Sequence, residues 1–214
     1  MELVTILAQA TFETLIMVLG SVCLGGAVGI PLGIILFILS SQGLSPCQKL
    51  YEPLSFLVNT LRSTPFVIVS VLLIPLTRLI MGTSIGPQAM IIPLGICAIL
   101  LIARATEESL AQQPRTLHDL GLSLGINNKQ IIFRILMPEA FPSLVASITT
   151  IIINIIGFSA MAGTLGGGGL GDLAIRYGYQ RYDMVFMVMI VLILVVLVQI
   201  VQMIGKRLSE KLRH

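Results

Sequence analysis

Residues 184–205 read MVFMVMIVLILVVLVQIVQMIG, without one charged side chain. A membrane-crossing helix needs about 20 predominantly apolar residues, and this stretch supplies them. The rest of the chain agrees. Of its 214 residues 56% are hydrophobic and 11% charged, with a mean hydropathy of +0.99, whereas a soluble domain carries roughly 25% charged residues. That much apolar surface cannot be hidden within the chain itself. Its solvent is lipid.

Working upstream, four further spans are expected at residues 140–163, 86–103, 54–77 and 15–39. Arg62, Pro65 and Pro75 fall within the 54–77 span, and Arg104 with ATEESL (105–110) carries the 86–103 span into water. The fold class is therefore all-α, an integral membrane protein of five transmembrane helices. Cationic residues test that count, because cytoplasmic loops collect Lys and Arg. One alternate set of loops holds Lys49, Arg62, Arg104, Arg115, Lys129, Arg134, Lys206, Arg207, Lys211 and Arg213; the other holds only Arg78, Arg176 and Arg181. The first set is read as cytoplasmic, which puts the N-terminus outside and the C-terminus inside. An even number of spans would break this partition.

Gly25, Gly29 and Gly33 recur every fourth residue along one face of the first span. Small residues let a neighbouring backbone come close where lipid removes the hydrophobic drive. Packing within the chain is the simpler reading, a dimer seam the other, and Pro31 is expected to kink the helix. Cys23, Cys47 and Cys97 are too scattered for a metal site and read as small buried hydrophobes. MELVTILAQA has no basic n-region, so the first span is expected to remain in the mature protein.

Between the third and fourth spans lies a polar segment that is too short to cross. Leu117, Leu120 and Leu124 stand at helical spacing, Gly125 punctuates as a C-cap, and Asn127 or Asn128 opens a second helix. Ile131, Ile132 and Ile135 form its apolar stripe, and Pro138 is expected to stop it. The result is a helix–turn–helix elbow on the inner surface, either an interfacial connector or a docking site for a cytoplasmic partner.

The segment HDLGLSLGINNKQIIFRILMPEAFPSL (118–144) resembles the signature loop of type I ABC importer permeases: Glu-Ala-Ala, a glycine, about nine residues, then I-x-L-P. Gly125 takes the place of the loop glycine and Pro138 closes the pattern; Asp119, Leu120 and Gly121 stand where the pattern has Glu-Ala-Ala. RSTPFVI (62–68), IPLTRLIMGTSIG (74–86) and GFSAMAGTLGGGGLGDLAIRYGY (157–179) extend the likeness to the methionine ABC importer permeases. The resemblance implies an ABC type I transmembrane domain over residues 11–205, with 206–214 as a basic cytoplasmic tail. It also implies a homodimer in the cell inner membrane, coupled through the elbow to two copies of a separate ATPase and served outside by a methionine-binding lipoprotein. D- and L-methionine are the implied substrates, another small amino acid the alternative. ATP would be bound by the partner, since this chain has no G-x-x-x-x-G-K-[ST] run and no cofactor of its own is expected.

Other classes find less support. The two histidines, His118 and His214, have no cysteine or carboxylate neighbours at metal spacing, so no catalytic group and no metal site is assigned. Glu107 and Glu108 read as a solvated helix end. No basic cluster with interleaved aromatics suggests nucleic acid. An ion-coupled secondary transporter or channel is the rival class, but it usually places ionisable groups at membrane depth, and the spans lack charges at their centres. The pathway is instead assigned to the fourth span, with Asn154 facing a partner helix or the pore and Ser159 and Met161 near its outer end.

GTLGGGGLG (163–171) contains G-x-G-x-x-G at Gly166, Gly168 and Gly171, the spacing of a dinucleotide loop. Such a loop must follow a strand and open a helix in β-α-β order. Here a membrane span precedes it and another follows at Met184, although Asp183 sits near the distance of a ribose carboxylate. Gly168 and Gly169 are therefore read as part of an external gate or lipoprotein-docking segment, a merely structural turn being the alternative.

Overall fold

The computed structural model describes residues 2–123 and 125–212, and every regular element among them is a helix. Leu124, Arg213 and His214, all used in the sequence reading, lie outside the described residues.

Helix α1 (Glu2–Leu39) has 38 residues, about 57 Å at 1.5 Å per residue, well beyond the ~30 Å hydrocarbon core. The expected start at residue 15 was too late. Leu7 and Ala10 pack into a buried cluster with Leu170, Leu173, Phe186 and Ile190, and this tertiary face carries the helix past the hydropathy boundary. Pro31 lies within one uninterrupted helix.

The single span expected at 54–77 is broken into α2 (Gln48–Ser63), α3 (Phe66–Leu72) and α4 (Ile74–Met81), with α2 and α3 meeting at 107°. The cause is local. Thr64 (φ −76°, ψ 134°) and Pro65 (φ −56°, ψ 132°) are both extended, because a residue before proline avoids the α region and Pro65 has no N–H to continue the ladder. Pro75 is harmless in the first turn of α4, where its missing N–H would be unpaired anyway. Four helices are long and apolar enough to cross a bilayer, and five spans result if the bent α2–α3 pair counts as one.

Helix α5 (Pro87–Ala111) supplies an independent reason to count five. Gly20 faces Ile91, Gly25 faces Ala98 and Gly29 faces Ile102, so α1 and α5 run parallel. Parallel neighbours need a return crossing between them, and α2–α4 must provide it. A Cβ on Gly29 would stand 2.7 Å from the Ile99 carbonyl oxygen, so the glycine face is an intramolecular seam.

After α6 (Arg115–Ser123) and α7 (Asn128–Ile131), a π turn at Ile132–Leu136 leads directly into α8 (Met137–Ala162). Another π turn (Gly163–Gly167), α9 (Gly169–Leu173) and a third π turn (Ala174–Tyr179) connect to α10 (Met184–Leu212), which absorbs most of the expected basic tail. The main core, with Met17, Leu94, Ala98, Ile102 and Ile155, lies between α1, α5 and α8. Helices α8 and α10 cross closely where Thr149 fills the space beside Gly205, and the Ser209 hydroxyl donates to the Pro142 carbonyl at 2.9 Å. Cys23, expected to be buried, is exposed on the outer surface of α1.

Candidate translocation face, glycine gate and coupling elbow

The glycine run is not a phosphate loop. It follows a helix, and its amides are already occupied. Glu13 of α1 accepts from Gly169 N–H at 2.8 Å, and Thr14 Oγ1 accepts from Leu170 N–H at 2.9 Å. A carboxylate of the chain itself sits where a nucleotide phosphate would. Gly166, Gly168 and Gly169 have φ of +86°, +76° and +74°, a region that L side chains rarely adopt. Gly167, Gly169 and Gly171 are buried, Gly168 is half-buried against α1 and Gly166 is exposed, so the run is a packed segment whose helix breaks at Gly168 before α9, not a free surface loop. The Gly86 N–H adds a further tie, to the Gly166 carbonyl at 2.9 Å.

Helix α8 carries a second feature. Ala146, Thr150, Asn154, Gly157 and Met161 are all exposed, at steps of three or four that place them on one face. On α10 the exposed residues from Met184 to Val196 are all apolar, Val188, Val191, Leu192 and Val195 among them, and the exposed amides Gln199 and Gln202 come only toward its C-terminal end. Hydrocarbon suits the second face and not the first, since an amide without partners in lipid is costly. Asn154 is exposed and makes no side-chain hydrogen bond among the described residues. Met161 shares its face, but Ser159 does not; it is 1% exposed and donates to the Ile156 carbonyl.

The elbow is built as a capped turn. Gly125 has φ +66°, and Asn127 caps α7: Gln130 N–H donates to Asn127 Oδ1 at 3.0 Å while Asn127 N–H donates to Gln130 Oε1 at 3.2 Å. Pro138, however, does not stop the helix. The π turn before it (Met137 N–H to the Ile132 carbonyl) widens the helix, and α8 begins with Pro138 in its first turn. The same turn moves the apolar stripe: Ile131, Ile132 and Leu136 are buried, whereas Ile135 is only half so. Gly121 is buried against Ile131, and Leu120 is 50% exposed. The Asp119 side chain lies outside what the structure describes.

Residues 29–214 match the family model for binding-protein-dependent transport system inner membrane components. The chain belongs to that family. A probable D-methionine transport system permease protein MetI of Vibrio cholerae is 46% identical over 98% of this chain and 93% of its own. The D-methionine transport system permease protein MetI of Escherichia coli K12 is 40% identical over 74% and 73%. Among solved structures, an inward-facing MetNI methionine ABC transporter superposes with a TM-score of 0.96 at 38% identity, covering 99% of this chain and 98% of that one. An amino acid ABC transporter with histidines, at 16% identity and a TM-score of 0.73, shares the fold.

Two carboxylates of this permease escaped the sequence reading. Glu13 was placed ahead of the first span but lies within α1, with Gln9 Nε2 donating to its other oxygen at 3.2 Å. Both of its oxygens therefore serve as caps and ties, which leaves little for an ion-coupling role. Glu107, read as part of a solvated helix end, is 5% exposed; Tyr51 donates to it at 2.8 Å and Arg104 at 2.6 Å. Glu108 alone is on the surface, paired with Arg104 at 3.2 Å. Tyr51 comes from α2, so the pair ties the broken second span to α5. Glu13→Ala is expected to lower the unfolding free energy by about 1–3 kcal/mol, because a charge-assisted bond is lost and a buried donor left unmade. Glu13→Gln keeps an acceptor and should retain most of the stability. Thermal unfolding of the two purified variants checks this ordering.

Proposed function

We propose that the chain is the membrane permease subunit of an ATP-driven methionine importer. It works as a homodimer, with the exposed polar face of α8 turned toward the second copy and the α10 face toward lipid. The observation that carries this reading is the superposition on the methionine transporter along nearly the whole chain, together with a polar helix face that lipid cannot solvate. The permease is not itself an enzyme. A separate ATPase binds ATP at the elbow side, and a lipoprotein delivers methionine outside, next to the glycine gate of Gly168 and Gly169. Asp119, Leu120, Gly121, Gly125 and Pro138 form the coupling segment, and Asn154 and Met161 line the pathway. The D-methionine in the relatives' names makes that enantiomer a substrate to test beside the L form.

Expressed with its ATPase and lipoprotein in cells lacking their own methionine importer, the chain should restore accumulation of labelled methionine. No accumulation above the empty vector sinks the reading. The charge partition supports an N-terminus outside and a C-terminus inside. Reporters fused after residue 214 and inserted within 172–183 should therefore report opposite compartments, and a shared compartment would refute the orientation.

A further inference from the structure

A cavity of about 80 Å³ lies where α3 and α4 meet the start of α5 and the glycine segment. A single water needs about 10–15 Å³ of such space, so the cavity admits more than one. Three hydroxyl residues line it, Ser70, Thr77 and Ser84, with Ile85, Met90 and Leu165 among the apolar groups. Other buried hydroxyls, those of Thr14, Ser21 and Thr106, bond a carbonyl of their own helix. Ser70 does not. Its residue is 4% exposed and its Oγ has no hydrogen-bond partner among the described residues. Nearby, exposed Arg78 donates from Nε to Ser84 Oγ at 3.1 Å. It forms no ion pair among the described residues, since the ion pairs found there use Arg104, Arg176 and Lys206.

We propose that this cavity is a binding site for an α-amino acid with an unbranched thioether side chain, held beneath the glycine gate. The inference rests on the methionine-import reading and adds to it a place and a basis for selectivity. The guanidinium of Arg78, whose terminal N–H groups have no partner among the described residues, takes the carboxylate at the mouth. The side chain enters among Ile85, Met90 and Leu165. Ser70 then donates its unmatched hydroxyl to the thioether sulfur, a weak acceptor that a methylene cannot imitate. Leu165 belongs to the same segment as the strained glycines, so movement of that segment opens or closes this wall.

The experiment uses the complete permease–ATPase complex with its lipoprotein, carrying Ser84→Cys, and follows modification by a membrane-impermeant maleimide above the background of the native cysteines. If Ser84→Cys fails to assemble, Ile85→Cys, whose parent is 67% exposed, reports on the same mouth. Methionine should slow labelling about tenfold, at rest or during ATP turnover. Norleucine, which replaces the sulfur by a methylene, should protect at least about threefold less well. Adding Ser70→Ala should erase the difference between the two, and Arg78→Gln should abolish protection by either. Labelling unchanged at methionine concentrations that saturate uptake would mean that the cavity holds water only, and the proposal falls. Equal protection by methionine and norleucine likewise removes the role given to Ser70. A wild-type complex that accumulates no methionine overturns the import reading instead, so the two failures are distinguishable.

Discussion

Gly169→Val should abolish methionine uptake while the permease still co-purifies with its ATPase. Gly169 has φ +74°, and a β-branched residue held there is strained by about 1–3 kcal/mol. Space is also lacking. A Cβ at this position would lie 2.7 Å from Thr14 Oγ1 and 2.8 Å from Met17 Cε; the Met17 methyl can swing aside, but Thr14 Oγ1 is fixed between the Ala10 carbonyl and the Leu170 N–H. Overpacking of this kind adds about 1–3 kcal/mol. Thr14 is also the acceptor for Leu170 N–H, and Glu13 for Gly169 N–H itself, so relieving the clash breaks the two bonds that pin the glycine run to α1. The elbow lies at the opposite end of α8, which is why assembly should survive. Gly166→Ala separates strain from crowding. Its φ is +86°, but the nearest atom to a Cβ is Ile85 Cγ2 at 3.5 Å, so roughly 1–2 kcal/mol of strain is all that is added. Uptake should persist in that variant. Normal uptake by Gly169→Val would show that the run is a passive turn.

The sequence disclosed what depends on local composition. Four of the five apolar stretches, the glycine face of Gly25, Gly29 and Gly33, the turn at Gly125 and a cap at Asn127 or Asn128 follow from spacing and side-chain type, and the structure keeps them, with the 54–77 stretch broken and the cap at Asn127. What it hid depends on distant partners or altered helical period. Glu13 and Gly169 are 156 residues apart, and no hydropathy window relates them. Glu107 looks like any charge at a helix end until Tyr51 arrives from α2 to bury it. Ile135 and Pro138 were misplaced because a period of 3.6 was assumed through a π turn, where the next buried position after Ile131 and Ile132 is Leu136. The polar face of α8 was half visible: Asn154 and Met161 stood out by type, but their alignment with Ala146, Thr150 and Gly157 needed the other helices in place to show which face remained uncovered.

Under the proposed coupling role, the unbroken passage from α7 through the π turn into α8 would act as a lever, and Gly121→Leu should disconnect it. A Cβ on Gly121 would lie 2.6 Å from Ile131 Cγ1. Ile131 is 0% exposed, packed in the cluster with Phe37, Leu110 and Leu136, so α6 must move away instead. Leu is a better helix former than Gly by up to about 1 kcal/mol, so α6 itself gains and the loss can be assigned to its docking on Ile131. Uptake should fall at least about tenfold while ATP hydrolysis by the assembled complex continues, because the ATPase then moves α6 without moving α8. Gly125→Ala is the matched control. Its φ of +66° makes the substitution strained by about 1–2 kcal/mol, yet nothing lies within 4 Å of the added methyl, so transport per ATP should change little. Gly125→Trp has the same backbone strain but projects a large ring from an exposed position, and should reduce co-purification with the ATPase. Measuring uptake and hydrolysis on the same proteoliposome preparations decides the matter: a Gly121→Leu complex that transports as much methionine per ATP as the parent would show that force enters α8 by another route.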